Sequence, residues 1–100
     1  MYVILTTKPG VFRTEFEPDQ DVDVLEIYDY VFYGKTKAVF SIAHLAHDIK
    51  LIVTEDAPPH TVNRVPSKFL EKFESVEAAR RELAHLTQFG SIQSELVRHG

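Results

Sequence analysis

Twenty consecutive residues, Val24 to Ala43 (VLEIYDYVFYGKTKAVFSIA), restrict the fold more than any other part of this chain. Eight of the first ten are apolar or aromatic, rich in the β-branched and ring side chains that suit a pleated surface, and Gly34-Lys35-Thr36 interrupts the run. The stretch reads as two strands and a turn. A three-residue loop at 34 to 36 pairs Tyr33 with Lys37 and stacks Tyr28, Tyr30 and Phe32 opposite Ile42, Phe40 and Ala38 on one face. Ile27, Asp29, Val31 and Tyr33 then lie opposite Ala43, Ser41, Val39 and Lys37 on the other. A two-residue loop would instead set Asp29 opposite Phe40. The first register is preferred because it separates an apolar face from a mixed one, and period-two burial selects registers in that way.

The segments before and after this ribbon are shorter. Tyr2 to Thr7 is mostly apolar, Lys8-Pro9-Gly10 has Pro and Gly where a type II turn needs them, and Val11 to Glu17 alternates Phe12, Thr14 and Phe16 with Arg13, Glu15 and Glu17. These form a first hairpin, and Pro18 to Asp23 is a polar loop leading into the ribbon. Ile42, Leu45, Ala46 and Ile49 have helical spacing, so the strand is expected to end near Ile42 and give way to one or two helical turns up to Asp48. Lys50 to Thr54 is a further short strand, and Ala57 to Pro66 (APPHTVNRVP) is the longest unpatterned loop.

Helices follow. Pro66 and Ser67 suit a helix start, with Phe69, Leu70 and Phe73 as a short apolar face. Ser75 is a good N-cap, Glu77 lies where the helix dipole favours a negative charge, and Val76, Ala79, Leu83 and Leu86 repeat along one face up to a stop at Gly90. Ser91 to Arg98 fits either a last short helix through Ile92, Leu96 and Val97 or a sheet edge. Strands first and helices after is the α+β pattern: one domain over residues 1–100, an antiparallel sheet of about five strands (two hairpins plus one strand) with C-terminal helices packed on one face. At 100 residues such a domain buries roughly 65% of its unfolded surface, enough for a single core.

Composition excludes several classes. The chain has no cysteine, hence no disulfide, thiolate metal site or Cys nucleophile. The opening YVILTT is too short for a signal or membrane segment, and a cytoplasmic protein is expected. The net charge is −4, and seven acidic residues with no basic one lie between Glu15 and Asp29. That run repels phosphate backbones and anionic lipid, so neither nucleic acid nor membrane is an expected partner.

Few residues carry chemistry by pattern. His44, His47 and Asp48 form an H-x-x-H-D group that would converge as metal ligands on a helix and diverge on a strand. His60 lies in a loop with no nucleophile placed for it. Asp29, between tyrosines, needs a hydrogen bond that Ser41 could supply. Arg64, Ser67 and Lys68 surround an expected helix start, where backbone N–H groups attract anions. Arg80 and Arg81 with Glu77 and Glu82 read as ordinary helix-surface pairs. The aromatic set Tyr28, Tyr30, Phe32, Tyr33 and Phe40 is the strongest non-trivial feature, either a core under the helices or a binding surface. Two functions remain. The expected one is a non-catalytic interaction module, an accessory subunit or homodimer that docks a protein partner or itself through the aromatic sheet face or an edge strand and needs no cofactor. The alternative is a small metal-dependent or His/Asp-based enzyme acting on a small anionic or aromatic molecule.

Overall fold

The computed structural model describes residues 1–87 and 94–99. It is an α+β fold with two antiparallel sheets and one helix. Strands β1 (Tyr2–Thr7), β3 (Val22–Phe32), β4 (Lys35–Leu45) and β7 (Ser94–Arg98) make a four-stranded sheet in the order β1-β4-β3-β7. Strands β2 (Phe12–Phe16), β5 (Lys50–Glu55) and β6 (Val62–Pro66) make a three-stranded sheet in the order β2-β5-β6. Helix α1 (Val76–Thr87) lies against the larger sheet.

The β3–β4 ribbon is the centre of the larger sheet, with a different register from the expected one. Its turn has two residues, Tyr33 and Gly34, both left-handed (φ 51° and 75°) as a type I′ hairpin requires, and Phe32 pairs with Lys35. Two bulges then adjust the ladder. Lys37 is extra in β4 and Leu25 is extra in β3, so Tyr28 faces Phe40, Tyr30 faces Ala38 and Asp29 faces Val39. Between the bulges the pairing has slid by two residues, which preserves the faces there; beyond each bulge it has slid by three. Tyr28, Phe40 and Ile42 still share one side, because burial determines parity while the turn determines the exact partners.

That side packs against α1. Ile42, Ala79 and Leu83 are fully buried, with Ile4, Tyr28, Phe40, Phe73, Val76 and Leu96 packed around them. The helix begins as its sequence predicts, with the Ala78 N–H donating to the Ser75 hydroxyl at 3.1 Å. The expected Gly90 stop lies outside the described residues. On the opposite side of the sheet, Val3, Leu5, Ala43 and Leu45 form a second core with Ile49 and Leu51, roofed by the smaller sheet and by Leu70.

Several expectations are corrected. The first hairpin is not a ladder. The Lys8–Val11 turn forms as read, with Gly10 at φ 82° and the Val11 N–H on the Lys8 carbonyl at 2.9 Å, yet β1 then pairs with β4 and β2 with β5. The chain turns a corner there: the Thr14 N–H donates to the Thr7 hydroxyl at 3.0 Å, and β2 carries Phe16 over to the second core. Strand β4 runs on to Leu45 in place of a helix, because Ala43 and Leu45 are both buried on one face and His44 lies on the other. The unpatterned loop contains β6, paired with β5 from Val62 to Pro66. A helix at Ser67 is reduced to one 3-10 turn, Ser67–Phe69, followed by extended backbone at Leu70. Of the expected last segment, Ser94–Arg98 takes the sheet-edge alternative, and residues 91–93 lie outside the described residues. Of about five strands in one sheet and several helices, the structure has seven strands in two sheets and a single α-helix among the described residues. No helix among them is long and apolar enough to cross a membrane.

Candidate functional site

The smaller sheet is narrower than the one it covers. Over β1 and the end of β4 the burial is complete, with Val3 and Ala43 at 0% exposure; further across the same face, Val24 is 41% and Val97 42% exposed. Period-two alternation places Ile27, Val31 and Val39 on that side too, each half-buried. Leu25, the bulge residue, is exposed beside them. The result is an aliphatic strip on the uncovered half of the four-stranded sheet, bordered by β7, whose ladder partner among the described residues is β3. One polar pair lies within the strip: His99 Nε2 is 2.9 Å from the Asp29 carboxylate. Asp29 therefore meets His99 and lies opposite Val39, in place of the expected Ser41.

The five aromatic candidates divide between two environments. Tyr28 and Phe40 lie under α1. Tyr30 and Phe32 are half-buried further along the same face, and Tyr33, at the ribbon's tip, is 64% exposed with its ring edge-on to Phe32 at 4.5 Å.

The histidines do not gather. His44 sits edge-on to Tyr2, with ring centroids 5.1 Å apart, while the exposed His47 donates from Nδ1 to the Asp48 carbonyl at 3.1 Å. His60, at φ 59°, donates to the Glu55 carbonyl at 3.2 Å. Among the described residues no three His, Cys, Asp or Glu side chains come together as metal ligands, and His44, His47 and Asp48 are no exception. A strand at His44 separates what a helix would have joined.

Asp48 belongs instead to Ser67. The fully buried Ser67 hydroxyl donates to the Asp48 carboxylate at 2.8 Å and accepts the Ile49 N–H at 2.8 Å, and Lys72 Nζ stands 3.2 Å from the same carboxylate. The Ser67 hydrogen bond, then Lys72, holds the Asp48 carboxyl below its ordinary pKa. Ser67 is thus withdrawn from solvent, while Arg64 and Lys68 line an open recess of about 490 Å³ together with Glu17, Gln20, Asp48 and Lys50.

The strongest electrostatic centre went unread in the sequence. Glu26 is 3% exposed and accepts from Arg80 Nε on α1 at 2.9 Å, from a second Arg80 nitrogen, and from the Tyr28 hydroxyl at 2.6 Å; Arg98 Nη1 on β7 stands 3.5 Å away. Arg80 above all lowers the Glu26 pKa from 4.5 to about 2 against the opposing effect of burial. Burial and the Glu26 charge raise that of Tyr28. A signal existed on both sides. Glu26 shares strand parity with Tyr28, and Arg80 stands at i+4 from Val76, inside the stripe formed by Val76, Ala79 and Leu83. The cluster ties α1 and β7 to the sheet.

No protein-family model, no curated protein and no solved structure matches this chain.

Proposed function

We propose that this protein acts by docking, as a non-catalytic interaction module that takes a protein partner or a second copy of itself on the open side of its four-stranded sheet. The observation that carries this reading is the aliphatic strip of Val24, Leu25, Ile27, Val31, Val39 and Val97 on the half of the sheet that the smaller sheet leaves uncovered. Contiguous apolar surface bordered by polar groups is what interfaces are made from, and a sheet edge beside it supplies backbone hydrogen bonds to an incoming strand. Tyr33 adds to the reading. A ring at a left-handed turn position is energetically costly, and Asn or Gly would serve the turn better. An exposed aromatic retained at such a place fits a contact residue. Tyr30 and Phe32 extend this contact end, and Tyr28 and Phe40 support it from beneath α1.

A photo-crosslinking side chain at Val31 or Val97, in the cells that make the protein, should give discrete protein adducts. The same group at Val11 or Val62, 57% and 56% exposed on other surfaces, should give none. Adducts distributed equally over all four positions would remove the basis for the proposal. An adduct of twice the chain mass identifies self-docking.

A further inference from the structure

We infer that the recess beside β6 is a binding site for a small molecule carrying a phosphate group, held between Lys50, Arg64 and Lys68. This goes beyond the docking role and does not rest on it. Strand register brings the first two cations together: Lys50 pairs with Pro66 and Ile52 with Arg64, which makes Lys50 and Arg64 diagonal neighbours on one face of the smaller sheet. Diagonal positions lie roughly 7–8 Å apart, a span that two long side chains close easily around one anion. Lys68 reaches the same recess from the 3-10 turn that follows Pro66.

The charge balance there differs from that of the whole molecule, which is net negative. Five charged side chains line the recess, three cationic and two anionic. Asp48 is already engaged by the Ser67 hydroxyl and by Lys72 from outside the recess, with Lys68 contributing last, so it competes only in part for the recess cations. Among the described residues neither Lys50 nor Lys68 has a carboxylate within ion-pair distance, and the contact Lys68 does make is with the Phe69 ring, 5.5 Å from its centroid. The remaining anion is Glu17, whose Oε1 stands 3.5 Å from Arg64 Nη1, both side chains well exposed. Glu17 thus occupies, loosely, the place an anionic ligand would take.

Phosphate suits this arrangement better than a carboxylate. A phosphomonoester offers three acceptor oxygens and close to two negative charges, enough to engage a guanidinium fork and two ammonium groups together. A volume of about 490 Å³ leaves room for the organic part, against Pro66, Ile49 and the Gln20 side chain.

The test is a titration of the isotope-labelled protein with inorganic phosphate and with pyrophosphate, followed by amide chemical shifts, with acetate as the comparison ion. Saturable shifts at Gln20, Lys50, Arg64 and Lys68 are expected, with pyrophosphate the tightest ligand and acetate the weakest. Arg64→Ala and Lys68→Ala should each weaken phosphate by roughly tenfold, the scale of one charge-assisted hydrogen bond. Lys35→Ala, at the far tip of the β3–β4 ribbon, should change nothing. Glu17→Gln should tighten binding by roughly threefold, because it removes the internal competitor while keeping the side chain's shape. Shifts that rise without saturation, that spread equally to Lys8, Lys35 and Lys37, or that survive Arg64→Ala would overturn the assignment. So would a Glu17→Gln protein that binds more weakly.

Discussion

Arg80 reaches from the helix to close on the carboxylate of Glu26, 54 residues away in sequence and the one buried acid among the ion pairs of the described residues. The carboxylate is 5% exposed, and its other neighbours are the Tyr28 hydroxyl and Arg98. A buried charge is tolerable when its partners are in place, and removing one leaves the desolvation uncompensated. Arg80→Ala should therefore lower the melting temperature by roughly 5–10 °C. Arg81→Ala, one position along and exposed, should stay within roughly 2 °C. Parallel thermal melts by circular dichroism check this, and equal effects from the two would remove Glu26 from the stabilising centre.

The same pair determines how the fold responds to acid. The folded-state pKa of Glu26, about 2, lies below the ordinary 4.5, mainly because Arg80 hydrogen-bonds the ionised form. A depressed carboxyl stabilises the folded state fully above its unfolded pKa. That contribution declines as pH falls from about 4.5 and is gone below about 2. Glu26→Gln should be less stable than the parent at pH 7, and the gap should narrow steadily between pH 5 and pH 2. Denaturant midpoints measured across that interval provide the comparison; a gap that stays constant with pH would mean Glu26 does not titrate in this way.

Tyr33 and Gly34 allow a test of the turn. A left-handed non-glycine residue costs about 1–2 kcal/mol, and the edge-on contact with Phe32 returns about 0.5 kcal/mol at an exposed site. The strain is the larger effect. Tyr33→Asn should therefore stabilise the protein by about 0.5–1 kcal/mol in urea unfolding, since Asn-Gly is the preferred type I′ pair. Gly34→Ala should do the reverse by about 1 kcal/mol, because it places a Cβ at φ 75° although nothing crowds the site. Tyr33→Asn should also weaken docking, and a protein made both more stable and less associative would separate what the turn needs from what the surface does.

Those features legible in the sequence were local. Ser75 with Ala79 and Leu83 marked the helix, Pro9-Gly10 the first turn, and the preference for a register that separates an apolar face from a mixed one put Tyr28, Phe40 and Ile42 on the same side, though with other exact partners. The long-range choices left no such trace. Residues 2–7 and 12–16 form strands with a turn between them whether they pair with each other or leave for different sheets, and the choice depends on β4 and β5, which they meet some 40 residues later. Strand β6 was hidden because Val62, Asn63 and Arg64 are exposed and only Val65 and Pro66 are half-buried, so no alternation shows. Ser67 read as a helix cap because its actual partners, Asp48 and Ile49, come from another strand's loop. At the candidate surfaces, aromatic content marked the ribbon correctly as the centre but could not show which face the helix takes. The aliphatic strip came instead from the mixed face.

Docking on that strip should be separable from folding, and Val97 is the position at which to separate them. Its side chain is 42% exposed on the uncovered face, and its backbone is paired with Asp29. A lysine there keeps the strand paired, exposes no new apolar surface and follows the usual protection of natural sheet edges by charge. Val97→Lys should leave the unfolding free energy from urea titration within about 0.5 kcal/mol of the parent, as exposed substitutions do. The same change carries an ammonium group into the apolar contact, where its cross-strand neighbour is Asp29, and burying even a paired charge under a partner costs desolvation that valine did not. Sedimentation velocity over a hundredfold range of concentration, alone and with any partner recovered by crosslinking, should show association lost in Val97→Lys and kept in Val11→Lys. Association unchanged in both would place the docking surface elsewhere, and association lost in both would indicate general charge repulsion with no defined interface.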